Sequence, residues 1–224
     1  MASRHKLFLF FAILLLATRI YGLWMEDGIR FIRVIGWWDF GFLALGWILS
    51  NYQQKAELPP ILGKELLGKN WLKPFLAGMF FAALDVLVIE GILRNEAHTS
   101  LPPYTQPFPY SIFLYSSATV YMELVYKLIP FTLGLMLLGL MGLRKKMWVY
   151  GLMLLLACWE PLEQMPSSPA WFVAYSLGSG FLFNFMQLYF YHRFGWIYSF
   201  FARLGLYLVW HVALGVWIEY SALG

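Results

Sequence analysis

Long apolar runs separated by short polar segments dominate the chain, and their lengths predict helices. Seven stretches, at about 7–24, 31–50, 72–93, 111–142, 147–164, 169–191 and 196–220, are apolar enough to cross a membrane. Each crossing takes roughly 20 residues. The fold class is therefore all-α: a polytopic membrane helix bundle of about seven transmembrane helices, forming one domain over residues 1–224. The first stretch, LFLFFAILLLATRIYGLW, follows Arg4-His5-Lys6 in the manner of a secretory leader. No small-x-small cleavage site follows its apolar core, so it is read as a retained anchor. The fourth stretch is too long for a straight crossing. It must tilt, bend near Pro130 or begin in the interface around Tyr110.

Composition agrees with this pattern. Of the 224 residues 61% are hydrophobic and only 12% charged, and the mean hydropathy is +0.64. Soluble domains carry about 25% charged residues, so half that charge leaves too little polar surface for water. The net charge of +4 raises nucleic acid as a partner, but the cations lie in short loops between apolar runs. With the N-terminus inside, the inner segments hold Arg4, Lys6, Lys55, Lys64, Lys69, Lys73, Arg144, Lys145, Lys146 and Arg193. The outer ones hold only Arg30, Arg33 and Arg94. That bias predicts N-in/C-out topology in a cytoplasmic-type membrane, with the lipid bilayer and not nucleic acid as partner. Trp71, Trp148, Trp171, Trp196 and Tyr220 near the span ends read as an interfacial aromatic belt. The single Cys158 excludes an intrachain disulfide framework.

Charge inside an apolar run is costly, so the residues that break the pattern define the candidate chemistry. VYMELVYKLIP at 120–130 carries Glu123 and Lys127, four apart on one helical face, with Thr119 and Ser116 continuing it upstream. ACWEPLEQM adds Glu160 and Glu163. The sixth stretch aligns Ser176, Gly180, Asn184, Gln187 and Tyr191. The last carries Arg203, Tyr207, His211 and Gly215 at four-residue steps. Stripes of this kind turn toward one another in lipid, and their depths place Glu123, Glu163 and His211 where one shielded pocket would gather them. A structural ion pair between Glu123 and Lys127 is the bland alternative.

The order and spacing of these residues resemble the CPBP superfamily, which comprises type II CAAX-prenyl endopeptidases, bacteriocin-processing proteins and relatives. Its members carry Glu-Glu-x-x-x-Arg, Phe-x-x-x-His and His-x-x-x-Asn on successive membrane helices. MELVYK at 122–127 resembles the first motif, with Met122 and Lys127 as departures. WEPLE at 159–163 resembles the second, with Trp159 and Glu163 as departures. HVALG at 211–215 resembles the third, with Gly215 in place of Asn. The run YFYHRFGWIYSFFARLGLYLVWH is similar to the family's turn into the last motif helix. Lys127, Glu163 and Gly215 are similar to the PrsW-like branch. The resemblance covers about residues 108–215, with the helices at 7–93 additional.

The resemblance implies an intramembrane glutamate/metal-type endopeptidase. In it Glu123 would be the general base, kept ionised and basic by Lys127. His211 would be its electrostatic or metal-binding partner, and Glu163 a second polar group. Glu160, Asn184, Tyr207 and Arg203 would support them. A zinc ion held by His211, Glu123 and Glu163 would be a carboxylate-rich site. The substrate would be a membrane-associated polypeptide. The motif departures support a different reading, a catalytically silent scaffold or accessory subunit docking a membrane-protein partner. A solute carrier using Asp39, Asp85 and Glu90 lacks the broken-helix inverted repeat such proteins show.

Overall fold

The computed structural model describes residues 2–25, 35–63, 69–94, 105–167 and 169–221. Among them every regular element is helical, so the fold is all-α. In order these are α1 (Ala2–Trp24), α2 (Trp37–Leu49), α3 (Leu72–Val86), α4 (Tyr110–Glu123), α5 (Ile129–Leu140), α6 (Lys146–Glu163), α7 (Ala170–Phe194), α8 (Trp196–Tyr207) and α9 (Leu214–Ser221). Among the described residues four continuous helical rods are long and apolar enough to cross a membrane: Ser3–Trp24, Leu72–Leu93, Tyr110–Leu140 and Trp196–Ser221.

Three of those rods contain π-helical turns, at Leu87–Leu93, Leu124–Leu128 and Leu208–Ala213. The widened bonds are explicit. Arg94 N–H donates to Ile89 O, Ile129 N–H to Leu124 O, and Leu214 N–H to Val209 O. A π turn accommodates one extra residue and turns carbonyls out of the helical ladder, and such turns cluster at functional sites. Here each contains an ionisable side chain: Glu90, Lys127 and His211.

The helices group into two compact units. Unit 1 comprises 1–44, 72–121 and 201–224. In it α3 and α8 touch through their backbones. A Cβ on Gly78 would fall 1.8 Å from Ala202 O, and one on Gly205 would fall 2.2 Å from Phe75 O. With no hydrophobic drive between helices in lipid, small residues are what let two rods come this close. α1 meets α4 through Thr18, whose hydroxyl lies 2.7 Å from that of Ser117. Arg19, inside the first apolar run, donates to Ile35 O and lies over the Trp37 ring.

Unit 2 comprises 45–71 and 122–200. α6 and α7 pack closely where Gly180 faces Pro161, whose Cγ would stand 3.0 Å from a Cβ there. The segment after α2, which the sequence suggested only as a short polar loop, is folded into the unit. Gln53, Ala56, Leu58 and Ile61 are buried, and Ile61 O accepts the Ile197 N–H. Gly63 and Gly195, both at positive φ, are the joint. A side chain on either would strike backbone, Phe194 O at 2.4 Å or Pro60 O at 2.5 Å. Gln53 closes a ring of three hydrogen bonds: its amide donates to Thr132 Oγ1 (3.1 Å), Thr132 meets the Tyr191 hydroxyl (2.8 Å), and Tyr191 donates back to Gln53 Oε1 (2.9 Å). All three residues are buried. Tyr191→Phe takes the donor from Gln53 Oε1 and one contact from Thr132, and the expected loss is about 1–3 kcal/mol, readable as a lower midpoint in denaturant or thermal unfolding in detergent.

Trp196 corrects the aromatic-belt reading. Trp71, Trp148, Trp171 and Tyr220 are exposed, whereas Trp196 is fully buried, with its indole N–H toward Glu123 O at 3.3 Å. Proximity to a helix end misled the sequence argument. Trp196 starts α8 immediately after the Gly195 turn, and that turn aims the ring into the unit.

Candidate functional site

The candidate residues fall in both units. Glu123, Lys127, Glu160, Glu163 and Asn184 belong to unit 2, and Arg203, Tyr207 and His211 to unit 1.

In unit 2 the site is built along one face of α7. Asn184 is positioned by its own helix, its Nδ2 donating to Gly180 O at 2.8 Å. Its Oδ1 accepts a hydrogen bond from Lys127 Nζ. The same ammonium lies 3.4 Å from Glu160 Oε2, with both side chains almost wholly enclosed. A lysine buried in hydrocarbon is tolerated when a carboxylate and an amide oxygen replace its lost water. Sequence reasoning gave Glu160 a supporting role, and the structure makes it an acidic partner of Lys127. Asn184, also given a supporting role, offers its amide oxygen to the lysine.

One turn further along α7, Gln187 Nε2 donates to Glu123 Oε1 at 2.6 Å and approaches Ser199 O at 3.3 Å. Glu123, Gln187 and Ser199 are all fully buried. Glu123 is the last residue before the π turn, and its carbonyl faces the Trp196 indole. The sequence aligned Gln187 with the α7 stripe but gave it no role. Its position three residues after Asn184 was the signal that could have found it. Glu163 is exposed and accepts the Tyr126 hydroxyl at 2.8 Å. Trp159 packs edge-on against that tyrosine ring.

In unit 1, His211 lies in an aromatic slot. Its ring stacks face to face on Tyr115, centroids 4.1 Å apart and planes 3° apart, and meets Tyr207 edge-on at 4.8 Å. The Arg203 guanidinium lies 5.6 Å from the Tyr207 ring. Four residues on, Gly215 packs against the 105–106 segment. A Cβ there would sit 3.3 Å from Thr105 Cβ, so an asparagine would have to push that segment aside. The departure at position 215 thus has a steric reason in the packing.

Among the described residues, no group of three or more His, Cys, Asp or Glu side chains is placed to hold a metal ion. The set His211, Glu123 and Glu163 named for zinc therefore gains no support. No family model, curated protein or solved structure matches this chain.

Proposed function

We propose that this protein is a multi-pass integral membrane protein of about seven spans, N-terminus inside, acting as a catalytically silent scaffold or accessory subunit of a larger membrane complex. The observation that carries this reading is the engagement of the motif-position side chains in unit 2. Lys127 is bound by Glu160 and Asn184, Glu123 accepts from Gln187, and Glu163 accepts from Tyr126. Groups arranged this way cross-link α4, the last turn of α6, α7 and the π turn. Hydrogen-bonded side chains between membrane helices contribute up to about 2 kcal/mol each. The packing of Gly215 supports the same reading, because Thr105 closes in where the motif it resembles has an asparagine.

A second reading is the CPBP/PrsW-like intramembrane peptidase, with Glu123 as base. It is favoured by the π turns that contain Lys127 and His211, because inserts of this type gather at functional sites. Glu123→Gln and His211→Ala, made separately in the full chain, separate the two. A scaffold keeps its cellular phenotype and its stoichiometric co-purifying partner in mild detergent with Glu123→Gln. Loss of a processed polypeptide product, with folding and assembly intact, would instead establish the peptidase and end the scaffold proposal.

A further inference from the structure

The folded-in segment after α2 changes the electrostatics of one end of unit 2. Its exposed Glu57 pairs with Arg144 in the connection between α5 and α6. Its Pro60–Gly63 stretch locks against Phe194–Ile197 at the α7–α8 turn. The segment therefore ties together three connections that the sequence treats as independent. Five exposed cations lie on them or on the adjoining helix ends: Lys55, Arg144, Lys145, Lys146 and Arg193. Glu57, paired with Arg144, sets a carboxylate among them. Exposed apolar side chains border the same end, among them Met141, Met147, Trp148 and Phe194. Tryptophan together with lysine and arginine is what a chain presents at the level of lipid headgroups.

We infer that this end of unit 2 is a docking surface for anionic lipid headgroups, which bear a phosphate at the membrane surface. Lysines and arginines that only orient a helix act by number and need no fixed arrangement. Here the backbone that carries them is held in part: the Gln53–Thr132–Tyr191 ring and the Gly63/Gly195 joint seat the Lys55 segment against the α7–α8 turn beside Arg193. A preorganised set loses less freedom when it closes on a ligand. Glu57 tunes the site, because it competes with a headgroup phosphate for Arg144. The inference rests on the membrane reading and is independent of whether the protein is a scaffold or a peptidase.

The test is native mass spectrometry of the purified full chain, released from mixed micelles holding phosphatidylglycerol and phosphatidylcholine in equal amounts. Phosphatidylglycerol is expected to be retained preferentially. The double variant Lys145→Gln/Lys146→Gln should weaken that retention about thirty-fold, on the usual contribution of a cation at an anionic surface. Lys6→Gln/Lys73→Gln removes the same charge from exposed positions in unit 1 and should change it less than about threefold. Glu57→Gln should strengthen retention by releasing Arg144, a gain that damaged folding would not produce. Equal losses from the two double variants, no gain from Glu57→Gln, or displacement by excess inorganic phosphate alone would overturn the docking surface. Retention of both lipids without preference would overturn it too, while leaving the membrane reading intact.

Discussion

Replacing Gly78 or Gly205 by alanine is expected to abolish stable folding of unit 1. The reason is geometric. The added carbon at 78 would overlap the Ala202 carbonyl, and the one at 205 would overlap the Phe75 carbonyl. Both obstacles are backbone, so rotamer changes bring no relief, and the two rods must separate along their contact. Overpacking that side chains can absorb costs about 1–3 kcal/mol. A backbone collision exceeds that range and approaches the whole stability of a domain, about 5–15 kcal/mol. Gly41→Ala is the control, because nothing lies within 4 Å of a Cβ there. It should be neutral or slightly stabilising, since alanine is favoured over glycine in a helix by about 1 kcal/mol. Monodisperse yield in detergent and the unfolding midpoint report all three variants.

That contact was not legible in the sequence. Gly78 and Gly205 sit among many glycines in apolar runs, and which of them face another backbone depends on helix crossing. The π turns were hidden for a related reason. A one-residue insert leaves apolar composition unchanged, so LVYKL and LVWHVA read as ordinary helix. What the sequence did disclose was the all-α class, the apolar rods and the polar stripe on α7. Asn184, Gln187 and Tyr191 are each buried, and each finds a partner. Partner choice was less legible. The i,i+4 spacing pointed Lys127 toward Glu123, and the structure adds Glu160, 33 positions on, as an acid beside its ammonium. Only tertiary packing at Pro161 and Gly180 brings that carboxylate into reach. The folded-in segment was missed because QQKAELPP is polar enough to pass for solvent-exposed loop.

The second large effect concerns that lysine. Lys127→Met is expected to destabilise the protein by about 3–5 kcal/mol, the usual consequence of leaving one buried charge without its counter-ion. Glu160 would remain at the α6–α7 contact, with 6% of its surface exposed and the Lys127 ammonium gone from beside it. Asn184 would lose its ammonium donor as well. The direction is the same for Glu160→Met, which leaves the ammonium behind. Chemical unfolding in detergent at constant ionic strength measures both. Salt should matter little, because enclosed pairs are poorly screened.

The most direct measurement of the central claim is the double variant Lys127→Met/Glu160→Met, compared with each single one. If these charges exist to hold helices together, removing both restores most of the stability that either single change removes. Buried ion pairs replaced by apolar side chains of similar size are often neutral or better. The account predicts a refolded double variant that also recovers the co-purifying partner and the cellular phenotype. A double variant that folds as well as the parent but leaves the phenotype lost would contradict it, because the buried charges would then be doing chemistry beyond packing.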